Sequence, residues 1–120
     1  MMKTVLIVDD QSAIRRLLAH WTLASGYDVA EAASAEQALE EMSKCRAAVV
    51  VSDVHLPDHD GIWLAGELRR RFPEAALIMT TGAKDANLMR QTGAVECLMK
   101  PFKRAQLQAA LQRGSERNRA

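Results

Sequence analysis

Three aspartates in the sequence stand at or just after the ends of two short apolar runs. Asp9 and Asp10 follow the run at residues 4–8, and Asp53 comes two residues after the run at 47–51. If both runs are parallel strands, their carboxyl ends lie at one edge of a sheet, which brings the three carboxylates together. Two unit charges about 4 Å apart repel by roughly 4 kcal/mol at an effective dielectric of 20, so such a group needs a cation. Hard oxygen ligands of this kind suit Mg²⁺ or Mn²⁺.

A hydroxyl and an ammonium group follow two later apolar runs. Thr81 comes directly after the run at 76–80, and Lys100 comes directly after the run at 95–99. The hydroxyl can donate a hydrogen bond, and the ammonium can neutralise a carboxylate or bind a phosphate oxygen. Each residue alone has a plainer interpretation, because Asp and Thr are common in turns and a lysine is usually solvated. Together, the five residues predict one site at the carboxyl edge of a sheet.

The elements that would position these residues alternate regularly along the chain. Helical spacing of apolar residues separates the strand-length runs, as at Leu64, Ala65 and Leu68. This alternation predicts an α/β fold: a single doubly wound, five-stranded parallel sheet of flavodoxin-like order 2-1-3-4-5, flanked by five helices. The predicted strands are the apolar runs at residues 4–8, 27–30, 47–51, 76–80 and 95–99. The second and fifth runs carry polar residues, which is typical of strands at the edges of a sheet.

Local signals support the predicted helix ends. Ser34 and Gln37 have the spacing of a capping box, and Asp60 can cap the third helix. Gly26 and Gly93 stand where the first and fourth helices would end.

Composition limits the classes of protein that the chain can represent. The 120 residues are 48% hydrophobic and carry a formal net charge of +1. One core can form, disorder is excluded as the main state, and direct binding to nucleic acid or a membrane surface is not expected. No apolar run is long enough for a membrane span or signal peptide, which predicts a cytoplasmic location. Cys45 and Cys97 form no disulfide framework. We expect one domain at residues 1–113 and a polar tail or linker start at 114–120.

Four motifs resemble those of the receiver domains of two-component response regulators, including the chemotaxis regulators. They are Val8-Asp9-Asp10, the sequence DVHLPDHDG at residues 53–61, Thr81-Gly82 and Lys100-Pro101-Phe102. The resemblance covers about residues 3–113. It implies a Mg²⁺-dependent, in-line transfer of a phosphoryl group from the phosphohistidine of a sensor histidine kinase or a histidine phosphotransfer protein.

The resemblance also implies a role for each matching acidic residue. Asp53 would be the phosphoacceptor and a metal ligand. Asp10 would bind the metal ion directly, and Asp9 would act mainly through a water molecule. The backbone carbonyl of His55 would complete the protein ligands.

The remaining matching residues would act on the phosphoryl group. Thr81 would donate a hydrogen bond to it, Gly82 would leave room for it, and Lys100 would form the ion pair of the site. The peptide between Lys100 and Pro101 is expected to be cis, which is tolerated only before proline.

The implied module is a switch rather than a metabolic enzyme, although receivers catalyse their own phosphorylation and dephosphorylation. The added charge would draw Thr81 and its loop inward and bias a partner-binding surface on the fourth and fifth strands and helices. The output partner is not identified by the sequence. A stand-alone regulator, a phosphorelay intermediate and a receiver excised from a longer response regulator or hybrid histidine kinase all remain open.

Two features depart from the family pattern. Cys97 stands three residues before the lysine, where the family usually has Tyr or Phe, so the usual aromatic switch is in question. We interpret this cysteine as a packing residue rather than a redox sensor, because no basic neighbour is identifiable to lower its pKa. The fourth helix is predicted to be short, at about residues 84–91, which would reduce or reroute output through it.

Four further side chains have simpler predicted roles. His55 lies at the mouth of the site, where it would influence the lifetime of the phosphoryl group. His20 and His59 are interpreted as surface residues. Trp63 lies one step off the apolar face of its helix and is predicted to point outward, which would suit a partner or a weak homodimer.

Other function classes fit the sequence less well. An aspartyl-nucleophile phosphatase also has an aspartate at a strand end, but such enzymes place a second Asp two residues later, where this chain has His55. A flavodoxin-like electron carrier needs a hydroxyl- and Gly-rich phosphate loop where this chain has Asp9 and Asp10. A receiver-like scaffold that is not phosphorylated remains an alternative.

Overall fold

Five strands and five helices alternate along the chain. The computed structural model describes residues 3–83, 85 and 87–117. The strands are β1 (Thr4–Val8), β2 (Asp28–Ala32), β3 (Val49–Asp53), β4 (Ala76–Thr81) and β5 (Glu96–Met99). The helices are α1 (Ser12–Ala24), α2 (Ala35–Cys45), α3 (Gly61–Arg71), α4 (Leu88–Thr92) and α5 (Arg104–Arg117). All strand pairs are parallel, in the order β2-β1-β3-β4-β5, so the predicted fold class is confirmed.

The sheet separates two hydrophobic cores, because successive side chains of a strand point to opposite faces. In β1, Leu6 and Val8 face one core while Val5 and Ile7 face the other. Helices α2, α3 and α4 cover the first core, and α1 and α5 cover the second. The central strands β1, β3 and β4 are almost fully buried, whereas β2 and β5 at the edges are partly exposed, as their sequences predicted.

Helix ends follow most of the predicted local signals. The Ser34 hydroxyl caps α2 by accepting a hydrogen bond from the Gln37 N–H. The predicted capping box is not completed, because the Gln37 side-chain oxygen accepts from the N–H of Ala33 instead of that of Ser34. Gly26 and Gly93 follow α1 and α4 with φ of +95° and +73°, a conformation that glycine adopts without steric cost.

Three strands end later than their apolar runs. β2 extends to Ala32, β3 to Asp53 and β4 to Thr81, against predicted runs of residues 27–30, 47–51 and 76–80. The residues at these strand ends continue the ladders with neighbouring strands, as in the pairing of Asp53 with Thr80. Asp53 is therefore the last residue of a buried strand rather than a loop residue.

Helix α4 is even shorter than the predicted helix at residues 84–91. It has five residues, Leu88–Thr92. The Asp85 carboxylate accepts a hydrogen bond from the Asn87 N–H, and this local turn competes with helix formation before Leu88. Residues 84 and 86, which belong to the predicted helix, lie outside the described residues.

Helix α5 runs past the predicted start of a polar tail at residue 114. Residues 114–117 are helical, and Gly114 is buried where a Cβ would lie 3.3 Å from the Val49 side chain. The Lys3 ammonium also donates a 2.6 Å hydrogen bond to the Ser115 carbonyl. These contacts explain why the helix continues, while residues 118–120 lie outside the described residues. Although α5 has 14 residues, no helix in the described ranges is long and apolar enough to cross a membrane.

Replacing either of two buried threonines by valine is expected to change the free energy of unfolding, in opposite directions. The Thr80 hydroxyl has no hydrogen-bond partner among the described residues, although the residue is only 1% exposed. The Thr92 hydroxyl donates to the Leu88 carbonyl and accepts from the Ala94 N–H. Thr80→Val is therefore expected to raise the free energy of unfolding by about 1 kcal/mol, and Thr92→Val to lower it by about 1–2 kcal/mol.

Urea unfolding of the two variants beside the parent protein measures both effects. If Thr80→Val destabilises the protein as much as Thr92→Val does, the Thr80 hydroxyl is hydrogen-bonded in solution and the prediction is wrong.

Candidate functional site

Three carboxylates converge at the carboxyl ends of β1 and β3. These strands are neighbours, with Val8 paired to Ser52, so the residues that follow or end them lie side by side. One carboxylate oxygen each from Asp9, Asp10 and Asp53 lies within 4.8 Å of the others. Asp9 is fully buried and Asp53 is 8% exposed, whereas Asp10 is exposed. The structure thus brings together the acids that the sequence placed at one edge of the sheet.

Lys100 lies between two of these acids. Its ammonium is 2.9 Å from an oxygen of Asp53 and 3.1 Å from an oxygen of Asp9. The Lys100 backbone N–H donates to the Thr81 carbonyl, which extends the pairing of β5 with β4, and the following peptide to Pro101 is cis, as predicted. Burial acts to lower the pKa of Lys100, but the hydrogen bonds and charges of Asp53 and Asp9 outweigh it, so the pKa lies above its ordinary value. The lysine therefore stays charged at neutral pH.

The loop after β1 holds Asp9 in place. The Gln11 N–H donates to one Asp9 side-chain oxygen at 2.9 Å, leaving the other oxygen for Lys100. From α1, the Arg15 guanidinium donates to the Asp9 backbone carbonyl at 2.9 Å and pairs with Glu31 of β2 at 3.1 Å. The sequence did not point to Gln11 or Arg15, because a backbone amide and a basic residue on a helix carry no distinctive pattern.

The segment after β3 packs tightly against Asp53. The His55 N–H donates to the second Asp53 oxygen at 3.1 Å, and the Gly61 N–H donates to the Val54 carbonyl. A Cβ at Gly61 would lie 2.6 Å from the Asp53 carbonyl oxygen, so only glycine allows α3 to begin this close to β3. The Asp60 side chain caps that same end, as predicted.

A cleft of about 380 Å³ opens above Asp10 and Asp53, while Asp9 is buried beneath it. Its lining includes Asp10, Asp53, His55, Gly82 and Lys100. A Cβ built on Gly82 would meet no atom within 4 Å, so the space beside it is open. Among the described residues, these three carboxylates are balanced only by the Lys100 ammonium, which leaves excess negative charge and the oxygen donors of the exposed Asp10. This donor set fits Mg²⁺, which prefers carboxylate oxygens and retains several waters.

The side chains of Thr81 and Cys97, which the sequence placed at the site, bond or pack away from the acids. The Thr81 hydroxyl donates to the Ala83 carbonyl at 2.9 Å and accepts from the Ala83 N–H at 3.1 Å, so it bonds within its own turn. Cys97 packs against the core on the α2 and α3 side of the sheet. Burial, followed by the charges of Glu96 and Asp85, raises the pKa of its thiol, which disfavours the reactive thiolate. This agrees with a packing role.

The histidines and Trp63 lie on the surface around or away from the cleft. His55 is exposed at the rim of the cleft, and His20 is exposed on α1. Trp63 is 38% exposed, and the His59 ring stacks on it with a centroid separation of 3.7 Å. The outward position of Trp63 is confirmed, and its pairing with His59 is an addition that helical periodicity does not predict.

Comparisons with known sequences agree with this arrangement. The family model described as the response regulator receiver domain matches residues 5–112. The response regulator protein FleR of Pseudomonas aeruginosa is 38% identical over 102 residues, which cover 82% of this chain and 21% of that protein. The transcriptional regulatory protein SrrA of Staphylococcus aureus is 31% identical over 104 residues, which cover 85% and 43%. The chain thus spans less than half the length of these curated relatives.

Solved structures match over nearly the whole chain. A response regulator receiver domain protein (CheY-like) from Methanospirillum hungatei JF-1 superposes with a TM-score of 0.92 at 26% identity, covering 99% of this chain and 98% of that one. The chemotaxis response regulator CheY4 of Vibrio cholerae superposes with a TM-score of 0.87 at 31% identity, covering 95% and 99%.

The position of Lys100 predicts a pH-dependent contribution to stability. Lys100→Met is expected to lower the free energy of unfolding by on the order of 1–3 kcal/mol near neutral pH, because Asp9 and Asp53 lose their shared counter-ion. Since folding raises the pKa of Lys100, its contribution is complete below the ordinary value of 10.5 and is lost as the pH rises through the folded-state value.

Urea unfolding from about pH 7 to about pH 11.5 measures this difference between the parent and the variant. The difference in the free energy of unfolding between the parent and Lys100→Met is expected to become smaller only above about pH 10.5. The same substitution at Lys103, which is exposed, serves as the control and is expected to leave stability unchanged. A difference for Lys100→Met that stays constant over the whole range would contradict the role of the charge.

Proposed function

The chain belongs to the family of response regulator receiver domains, and on that premise we propose that Asp53 accepts a phosphoryl group from a phosphohistidine. The observation that carries the proposal is the environment of this carboxylate. One of its oxygens is 2.9 Å from the Lys100 ammonium, Asp9 and Asp10 lie close to it, and Asp53 and Asp10 line an open cleft. A carboxylate so placed is accessible to a donor and is surrounded by groups that can balance incoming negative charge.

The proposed transfer forms one bond and breaks one bond. An Asp53 oxygen attacks the phosphorus of the donor's phosphohistidine, and the P–N bond breaks in line with the new O–P bond. The electron pair of the broken bond stays on the imidazole nitrogen, which then takes a proton from solvent. Later, water attacks the phosphorus, the O–P bond breaks, and inorganic phosphate and the Asp53 carboxylate are released. The protein contributes position and charge rather than a covalent partner beyond Asp53.

A divalent cation would be held by Asp9, Asp10 and Asp53 together with the backbone carbonyl of His55. When bound, Mg²⁺ supplies positive charge to the phosphoryl oxygens. Asp10 is the exposed member of the set and is suited to direct coordination, whereas Asp9 is buried and already accepts hydrogen bonds from Gln11 and Lys100. Lys100 keeps its charge at the site throughout and offsets the repulsion between the phosphoryl oxygens and the acids.

Signalling would begin at Thr81. Its hydroxyl now bonds to Ala83, and binding the phosphoryl group would require it to leave that turn. The β4–α4 loop would move with it and bias the surface formed by β5, α4 and α5. Met89 and Met99 are exposed on these elements at 43% and 50%. The five-residue length of α4 limits how much of that surface the helix itself can supply.

The phosphodonor would be a histidine kinase or a histidine phosphotransfer protein. Histidine kinases and their receivers meet in the cytoplasm, which is the location proposed for this chain. In the curated relatives the matching segment is one part of a longer protein. The receiver would serve either as such a module of a larger regulator or alone.

Labelling with acetyl phosphate tests the acceptor assignment. One phosphoryl group per chain is expected in the intact mass, only when Mg²⁺ is present. Asp53→Asn is expected to abolish the adduct, because an amide oxygen is a far poorer nucleophile than a carboxylate. Asp28→Asn, an exposed position at the opposite end of the sheet, is the matched control and should label as the parent does. Labelling of the Asp53→Asn variant at the parental level would refute the assignment.

A second prediction ranks the residues around the acceptor. Lys100→Met is expected to slow labelling by acetyl phosphate roughly a hundredfold or more, since a charged group in a partly buried site is removed. Thr81→Ala removes a neutral hydrogen bond and is expected to slow it by only about tenfold. Initial rates at saturating Mg²⁺ measure both, with Thr81→Ser as the variant that keeps the hydroxyl. Equal losses for Lys100→Met and Thr81→Ala would contradict the ranking.

A further inference from the structure

The first turn of α2 is capped by a residue from a different part of the chain. The Asp58 carboxylate accepts hydrogen bonds from the backbone N–H groups of Ala35 and Glu36, both at 2.9 Å. Ser34 accepts the next N–H, that of Gln37. The first three amides of α2 are therefore satisfied, two of them by a side chain 22 or 23 residues away.

Asp58 belongs to the loop that leaves the acceptor. This loop, residues 54–60, begins directly after Asp53 and contains His55. Its ends are drawn together by the hydrogen bond from the Gly61 N–H to the Val54 carbonyl. Its first turn is tied to the site, because the His55 N–H donates to an oxygen of Asp53.

The middle of the loop is joined to α2 by Asp58. Each of its carboxylate oxygens accepts one amide of the helix, and one of them also accepts the N–H of His59, which fixes the plane of the carboxylate. Burial opposes ionisation, but the backbone hydrogen bonds together outweigh it and hold the pKa of Asp58 below its usual range. The positive end of the α2 dipole also favours a carboxylate at this place.

We propose that Asp58 is a positioning residue that clamps the loop carrying His55 to α2 and so prepares the cation site at Asp53. The inference rests on the proposed function, because it concerns the same site. Mg²⁺ demands nearly ideal octahedral geometry, so a ligand on a loop that moves freely must be ordered at the cost of affinity. The clamp orders the His55 backbone beforehand. By linkage, cation binding must in return stabilise the contact between Asp58 and the first turn of α2.

Two variants separate this role from simple helix capping. Asp58→Ala removes the clamp and two amide acceptors of α2. Ser34→Ala removes the remaining cap of the same helix but leaves the loop attached, so it is the matched control for helix stability. Asp58→Asn keeps one side-chain oxygen and is the conservative variant that should recover part of the effect.

The experiment is a calorimetric titration of each protein with MgCl₂, accompanied by thermal unfolding. Asp58→Ala is expected to weaken Mg²⁺ binding by about tenfold, the lower end of the range for residues that support metal ligands, with Asp58→Asn intermediate. Ser34→Ala and Asp58→Ala are expected to lower Tm by similar amounts, because each removes a cap of α2. Ser34→Ala is expected to leave the Mg²⁺ affinity within about twofold of the parent. Hydrogen exchange provides a readout independent of phosphorylation. Mg²⁺ is expected to slow exchange of the Ala35 and Glu36 amides in the parent but not in Asp58→Ala.

The possible results separate the inference from the function on which it rests. Equal Mg²⁺ affinity in Asp58→Ala and the parent, or equal weakening in Asp58→Ala and Ser34→Ala, would show that Asp58 only caps α2 and would overturn the inference while leaving the acceptor role of Asp53 intact. A parent protein that does not bind Mg²⁺ at millimolar concentration would overturn the proposed function and the positioning role together.

Discussion

Repulsion among carboxylates is the constraint around which this molecule is organised. Asp9 and Asp53 are buried or nearly so at the ends of adjacent strands, and their charges would oppose folding if they stood alone. The Lys100 ammonium bridges one oxygen of each carboxylate. The backbone N–H groups of Gln11 and His55 donate hydrogen bonds to the other oxygen of Asp9 and of Asp53. The exposed Asp10 leaves the group with more negative than positive charge. The net negative charge of this group would favour the binding of a cation.

The charged groups of this site stand at the ends of three strands: β1 for Asp9 and Asp10, β3 for Asp53 and β5 for Lys100. A doubly wound parallel sheet suits such a site. Parallel strands present all their carboxyl ends at one edge. The chain adds β2 on one side of β1 and β3 on the other, and this reversal of strand order leaves a crevice between β1 and β3. Lys100 reaches the acids from the far side because β5 is tied to β4 through the hydrogen bond between the Lys100 N–H and the Thr81 carbonyl. Residues 55–57, in the loop between β3 and α3, supply another part of the cleft lining. The arrangement of side chains around Asp53 therefore depends on four strands, β1, β3, β4 and β5, being in register.

Sequence patterns predicted the strand order and the meeting of the acids because both follow from local properties. Runs such as residues 4–8 are apolar over their whole length, and parallel topology then determines which ends are adjacent. Contacts that depend on the exact path of a loop were not accessible in this way. Asp58 is 23 residues from Ala35, and nothing in the residues between them predicts a hydrogen bond.

Two other differences from the sequence predictions concern where helices α4 and α5 begin or end. The start of α4 was misplaced because the hydrogen bond between Asp85 and Asn87 favours a turn where helical periodicity favours helix. Helix α5 continues beyond residue 113 because Gly114 packs on Val49. The polar sequence of this segment does not predict that contact. The roles proposed for individual site residues rest on the resemblance to the family, whereas the geometry shows how these residues are held.

The hydrogen bond between Lys3 and Ser115 has a consequence for assembly. It places the beginning of β1 and the end of α5 together, at the amino edge of the sheet, while the acidic cleft lies at the opposite, carboxyl edge. Five strand residues at about 3.3 Å each separate the two edges. Any module tethered to either end of this unit would be attached on the side remote from the cleft, so its attachment would leave the cleft open. The same unit could thus be joined to unrelated neighbours without a change in the residues of the cleft.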